Sequence, residues 1–254
     1  MNSNLNFNVG FATDIGLRRS QNQDCGASLP DLGLFIVADG MGGHRGGEIA
    51  SAMAVEIIPQ IVQEAQAKPV QDRFDTRAAL NTAIQKANHA IYDRAMRQPE
   101  LQGMGTTTTA LLFHNRRVIV GHVGDSRAYF SRKGAIWQVT RDHSLVQEKL
   151  RAGLITREQA KTDQMKNVIT RSVGFGHETV VELYEMEAHP GDIFMLCSDG
   201  LSGQVEDGEI LDILEKRVRT TGDTKNAVSD LVLFANARGG HDNTTVIVIQ
   251  VSEG

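Results

Sequence analysis

The chain has 254 residues, 41% hydrophobic and 22% charged, which is enough apolar material for one large globular core and too much for a disordered chain. A net charge of -5 excludes the basic surface on which nonspecific nucleic-acid binding depends. No apolar run approaches the roughly 20 residues a membrane helix needs, and the N-terminus lacks a basic start followed by an apolar core, so a cytoplasmic chain without membrane partners is expected.

In chain order, apolar alternation and β-branched enrichment predict strands near 7 to 13, 33 to 38, 106 to 113, 117 to 123, 126 to 131, 135 to 139, 180 to 187, 193 to 198 and 243 to 251. Lys133-Gly134 reads as a hairpin turn. Two long helices are expected after the second strand. One carries an apolar stripe of Ile49, Met53 and Ile57, with Pro59 kinking or ending it; the other carries Leu80, Ile84, Ala87 and Ile91. A polar connection from 66 to 76, containing Pro69, separates them. Ile210, Ile213 and Leu214 mark a third helix, and Val228, Leu231, Val232 and Ala235 a fourth. Strands fall in neighbouring groups, so the fold class is α+β, with largely antiparallel sheets in a layered sandwich covered by helices on the outer faces. Residues 144 to 168 form a polar excursion with two short helical patterns, a place where a site is often covered. No linker divides the chain, so a single domain over 1–254 is expected, and with no unaccounted apolar stripe a monomer.

Two hydrophobic runs stop on Asp-Gly: Leu34 to Ala38 runs into Asp39-Gly40, and Ile193 to Ser198 into Asp199-Gly200. Glycines follow the first at Gly42, Gly43, Gly46 and Gly47, keeping side chains away from the backbone there. Gly124-Asp125-Ser126 and Asp242-Asn243 place two more aspartates at strand edges. Four carboxylates so distributed suit an oxygen-ligand site for hard divalent cations such as magnesium or manganese. For Asp39-Gly40 the competing reading is a hairpin turn, and for Asp125 a β-turn. Cys25 and Cys197 have neither close partners nor metal-ligand spacing and are expected to be reduced, structural thiols, with no zinc site.

Seven ordered blocks carry a resemblance: Arg19 with Asn22-Gln23-Asp24, Val37 to His44, Gly105-Thr106-Thr107, Val123 to Arg127, Asp142-His143-Ser144, Cys197 to Leu201, and Asp242 to Val246. Together they resemble the metal-dependent serine/threonine protein phosphatases of type 2C, in their compact bacterial form. The resemblance implies a four-layer α-β-β-α sandwich with two central antiparallel sheets and a binuclear manganese or magnesium centre in the cleft between them. It also implies a small flap over about 144–168, and phosphorylated proteins, the products of serine/threonine kinases, as substrates.

Residue by residue, the resemblance makes Asp39 the carboxylate bridging two ions, with the Gly40 carbonyl beside it. Asp199 and Asp242 would each serve one ion, Asp24 would act through water or as an outer ligand, and Asp125 with Asp199 would hold a third, weaker ion. Arg19 would grip the phosphoryl oxygens with parallel donors, with Arg18 the competing candidate. His44 is a candidate catalytic proton donor, or a residue positioning substrate or water. His122 and His143 read as structural, and the Thr106 to Thr109 run as a strand whose hydroxyls chiefly pack, with support of the metal ligands the alternative. No cysteine or aspartate pattern for a covalent intermediate is present, which leaves direct attack by water. The alternative from another class is a phosphoprotein-binding regulatory module of the same fold with little turnover.

Overall fold

The computed structural model describes residues 5–43, 45–67 and 74–254. Side-chain alternation along one strand shows how the layers form. In β3 (Leu34–Met41), Leu34, Ile36 and Ala38 face a helical layer, while Phe35 and Val37 face the opposite way into a second sheet. Every one of these five is fully buried, so β3 has no solvent face and reads as a continuous apolar run.

One sheet has the order β2-β3-β5-β6-β9: β2 (Asp24–Leu29), β3, β5 (Thr108–His114), β6 (Arg117–Val123) and β9 (Glu182–Glu187), with the two-residue β4 (Gly105–Thr106) paired to β3. The other has the order β1-β11-β10-β7-β8: β1 (Leu5–Asp14), β11 (Thr244–Glu253), β10 (Ile193–Cys197), β7 (Arg127–Arg132) and β8 (Ala135–Gln138). All the pairings are antiparallel. Between the sheets, Phe113 lies 4.8 Å from Phe7 and 5.2 Å from Phe194, ring centre to ring centre, in tilted and edge-on contacts that bind both layers.

Helices α1 (Gly46–Gln66) and α2 (Thr76–Arg97) cover the first sheet, and α6 (Asp207–Ile213) and α7 (Thr224–Ala237) cover the second, together with the short α5 (Asp199–Ser202). The sandwich is therefore α-β-β-α, with one core between the sheets and one beneath each helical layer. Asp75 caps α2, its carboxylate accepting from the Ala78 N–H at 2.9 Å.

Some expectations are corrected. α1 runs through Pro59 without ending, because Ala50, Ala54, Ile58 and Val62 bury at four-residue intervals on both sides of it and outweigh one missing hydrogen bond. Its core stripe is that set; Ile49, Met53 and Ile57 flank it half-buried, since alanines let the helix sit close on the sheet. β2 has no counterpart in the strand pattern because Asp24-Cys25-Gly26-Ala27-Ser28 holds no β-branched residue; it forms by full register with β3. The strand expected over 106 to 113 is broken at Thr107, whose N–H goes to the Asp39 carbonyl at 2.8 Å. Most of the connection between α1 and α2, Pro69 included, lies outside the described residues. At the hairpin, Lys133 and Gly134 both take positive φ, 52° and 78°.

Candidate metal and phosphate site

The two sheets bring their polar ends to one place. Asp24 opens β2 and stands directly opposite Asp39 in the antiparallel register. Asp39 lies inside β3, two residues before its end: Gly40 and Met41 continue the strand against Thr106 and Gly105, which rules out a hairpin turn at Asp39-Gly40. Asp199 begins α5 at the end of β10, and Asp242 precedes β11. Asp125 sits between β6 and β7, after Gly124 at φ 114°. Asp39 is within electrostatic reach of Asp24, Asp199, Asp125 and Asp242, so the structure gathers all five.

Parts of this cluster are held from behind. The Thr107 hydroxyl accepts from the Asp39 N–H at 2.9 Å, the Thr106 hydroxyl donates to the Asp39 carbonyl at 2.9 Å, and Thr107 and Ser126 hydroxyls share a hydrogen bond of 2.7 Å. These threonines therefore fix the Asp39 backbone, the supporting role that is the alternative to packing for them. The Ser198 hydroxyl donates to Asp24 Oδ2 at 2.7 Å and accepts from the Thr245 N–H at 2.9 Å. Gly124 exchanges two bonds with His143: its carbonyl accepts from the His143 N–H at 2.8 Å, and its N–H donates to His143 Nδ1 at 3.1 Å. That leaves the His143 proton on Nε2, 3.2 Å from a Glu182 oxygen.

Electrostatics mark the cluster as unusual. Burial first, and then the neighbouring carboxylates, hold Asp39 well above the ordinary carboxylate range. Burial, against the Ser198 hydrogen bond, pushes Asp24 up to about 7. Burial and Asp199 push Asp125 up to about 8, and burial and Asp242 raise Asp199. Oδ1 of Asp24, of Asp125 and of Asp199 are buried without a hydrogen-bond partner. Buried lone pairs with nothing to accept are costly, and repelling carboxylates that face them are what a hard cation would satisfy. The donor set fits manganese or magnesium. Among the described residues, no three acidic, histidine or cysteine side chains gather tightly enough to hold one ion by themselves. Magnesium-type ions usually keep several waters and take one or two carboxylates. Gly40 is required where it stands: a Cβ there would lie 2.1 Å from the Gly47 carbonyl oxygen.

Arg19 Nη2 donates to Asp242 Oδ2 at 2.6 Å, with about half of its side chain exposed; of the two adjacent arginines it is the one that reaches the cluster. His44 lies outside the described residues. His122 is fully buried and pushed down to about 4, first by burial and then by His143, in keeping with a structural role. The Cys197 thiol is buried and pushed up to about 12 by that burial, and Cys25 is also raised. Both are free thiols. The polar excursion contains α3 (Leu145–Arg151) and α4 (Arg157–Thr162). Its base is closed by the Ser144–Ile169 bridge, the Leu145 N–H to Val168 carbonyl at 2.9 Å and the Thr170 N–H to His143 carbonyl at 2.8 Å. His143 thus touches both the Asp125 turn and, through Thr170, the segment that closes the excursion.

Ser126, Ser198 and Asn243 carry structural weight that their sequence did not single out. The available signal was adjacency: each is the immediate neighbour of one of the clustered aspartates.

The family model of Protein phosphatase 2C matches residues 18–247. The serine/threonine phosphatase stp of Listeria innocua is 36% identical over 243 residues, covering 94% of this chain and 94% of its own. The serine/threonine protein phosphatase PstP of Mycobacterium tuberculosis is 36% identical over 239 residues, covering 94% of this chain and 44% of its own length. A crystal structure of the Mycobacterium tuberculosis phosphatase PstP/Ppp superimposes with a TM-score of 0.87 at 35% identity, covering 97% of this chain and 99% of that one. A structure of the PstP catalytic domain in complex with two manganese ions gives a TM-score of 0.86 at 36% identity, covering 98% and 100%. Matched by the family model over residues 18–247, by relatives 36% identical and by solved structures of the same two-sheet sandwich across nearly its whole length, the chain belongs to the protein phosphatase 2C family.

Proposed function

We infer that this 2C phosphatase is a metal-dependent enzyme that hydrolyses phosphoserine and phosphothreonine in proteins by direct attack of water. The observation that carries this is the set of buried, unpartnered carboxylate oxygens gathered where the two sheets end. Bound manganese or magnesium supplies a water of lowered pKa and neutralises charge on the phosphoryl group.

The chain's own residues do the rest. Asp39, its backbone fixed by Thr106 and Thr107, would serve both ions, with the Gly40 carbonyl beside it as a further oxygen ligand. Asp199 and Asp242 would each serve one ion, Asp125 with Asp199 would serve a third, and Asp24, held by Ser198, would orient water. Arg19 offers its guanidinium to the phosphoryl oxygens next to Asp242. His44 is a candidate for proton delivery to the departing serine or threonine oxygen, or for positioning substrate or water. Covalent catalysis through a cysteine is disfavoured, because Cys197 is sealed in the core and far from thiolate at neutral pH.

The catalytic domain spans 1–254, with the flap over 144–168 facing the phosphoprotein. The enzyme works as a cytoplasmic monomer on targets of serine/threonine kinases. Among the described residues no helix is long and apolar enough to cross a membrane. Incubation with a phosphothreonine peptide and manganese tests the assignment. Phosphate release is expected from the wild type, and Asp39→Asn is expected to lose at least about a hundredfold in kcat/KM, since even residues behind a metal ligand cost up to that much. Equal hydrolysis by the two proteins would remove Asp39 from the reaction, and no release by either would favour a binding module without turnover.

A further inference from the structure

Arg19 is carried by residues 15–23, the connection between β1 and β2, which contains no helix or strand. A half-exposed guanidinium on such a segment keeps a fixed aim only if the backbone beneath it is pinned. Asn243 pins it at three points. Its Nδ2 donates to the Ile15 carbonyl and the Gln21 carbonyl, both at 3.0 Å, and its Oδ1 accepts from the Gln23 N–H at 2.8 Å. These points bracket Arg19 on both sides. Only 4% of Asn243 is exposed, so water does not substitute for these bonds.

The same residue addresses the other end of the ion pair. The Asn243 N–H donates to Asp242 Oδ1 at 2.8 Å, while Arg19 donates to Asp242 Oδ2 at 2.6 Å. One side chain thus fixes the loop that carries Arg19, and its own backbone fixes the carboxylate Arg19 meets. Chemistry dictates an amide here: two N–H donors face two carbonyls, and one oxygen faces an N–H. A carboxylate would turn an acceptor toward two acceptors.

The geometry points to Asn243 as the positioning residue for phosphate recognition, setting Arg19 in place before substrate arrives; this rests on the phosphatase assignment above. Pinning the loop in advance removes an ordering cost that phosphate binding would otherwise carry. The role lies in phosphate affinity and not in holding the ions.

A double-mutant cycle tests it. Asn243→Asp reverses the donors, and the milder Asn243→Ser leaves room for water should the first fail to fold; each is made alone and combined with Arg19→Ala. Binding of inorganic phosphate to the manganese-loaded protein is measured by calorimetry, alongside manganese affinity, thermal unfolding, and KM and kcat for a phosphopeptide. Asn243→Ser is expected to weaken phosphate binding and raise KM about tenfold, the size expected for a lost buried hydrogen bond. Manganese affinity should stay within about twofold, and in the Arg19→Ala background Asn243→Ser should cause no further loss beyond about twofold. The same loss in both backgrounds, or weakened manganese binding with unchanged phosphate affinity, would overturn the proposal. Phosphate calorimetry reads this coupling without turnover, so a wild type that releases no phosphate would refute only the phosphatase assignment.

Discussion

Gly40→Ala tests whether the close approach of β3 to α1 is as tight as the structure makes it. An alanine Cβ would stand 2.1 Å from the Gly47 carbonyl oxygen, 2.4 Å from its carbon and 2.6 Å from the Gln23 carbonyl oxygen, where ordinary contact is 3.4–4 Å. The shortfall exceeds an ångström and involves backbone on both sides. Gln23 cannot yield, because its carbonyl accepts from the Gly40 N–H at 3.1 Å and from the Ser51 hydroxyl at 2.6 Å. Gly47 cannot either, being fixed in the first turn of α1. Overpacking against immobile backbone costs about 3 kcal/mol, the upper part of the usual range. For a domain of this size that lowers Tm by roughly 6 to 12 °C. Gly43→Ala is the control: nothing lies within 4 Å of its added methyl, and it should stay within about 2 °C of wild type. Calorimetric melts are run with chelator throughout, since bound ions shift Tm independently. If Gly40→Ala melts within about 2 °C of wild type, or if both alanines destabilise alike, the close contact is not what places Gly40.

Manganese at a hundred times its dissociation constant should stabilise the fold by about 2.7 kcal/mol, raising Tm by roughly 5 to 11 °C, and chelator should reverse the shift; a Tm blind to manganese would refute the metal site. His122 takes its proton at about 4 in the fold against 6.5 in the open chain, so its stabilising effect is complete above 6.5 and is lost as pH falls toward 4, on the order of 3 kcal/mol. Urea titrations across that window should show a shallower decline for His122→Gln, which keeps a donor for the Arg141 carbonyl that His122 Nε2 reaches at 3.1 Å, and parallel curves would refute the assignment. Asp24, raised to about 7, costs the fold increasingly as pH climbs from 3.8 to about 7. With chelator at pH 8, Asp24→Asn should therefore raise stability, by a few kcal/mol at most, while keeping an acceptor for Ser198; a lower Tm would refute the repulsion.

How much was legible in the sequence follows from which interactions are local. Strand alternation exposed β3, β6, β10 and β11 because their apolar runs are longer than any turn, and the Leu80, Ile84, Ala87 and Ile91 stripe exposed α2 because helical spacing repeats. Asp39, Asp125, Asp199 and Asp242 were legible because each follows or precedes such a run, whereas Asp24 came only with the family resemblance. β2 was not, since its register against β3 is a tertiary pairing and its residues carry no strand preference. Pro59 misled because a local helix rule cannot see the four buried residues spaced along one face of α1. The supports of the site were hidden for the same reason: Thr107 lies 68 positions from Asp39, Ser198 lies 174 from Asp24, and Asn243 lies 228 from Ile15.

Several local rules fail together at the shared end of the two sheets. Like charges face each other across β2 and β3, where opposite or apolar pairs would stabilise the ladder. One carboxylate oxygen of Asp24, of Asp125 and of Asp199 is buried without a partner. Two glycines, at 40 and 47, meet backbone to backbone where larger side chains would pack and stabilise. None of these violations extends into the three cores: Phe35, Phe194, Leu111 and Ile247 between the sheets, and Ile58, Ile84, Leu231 and Val248 under the helices, are fully buried. A fold that gathers repelling, unpartnered carboxylates at the shared end of two sheets is stabilised by whatever cation settles there. Stability and metal occupancy are then linked through the same carboxylates, so a substitution that relieves the repulsion should gain stability in chelator and lose the response to manganese together.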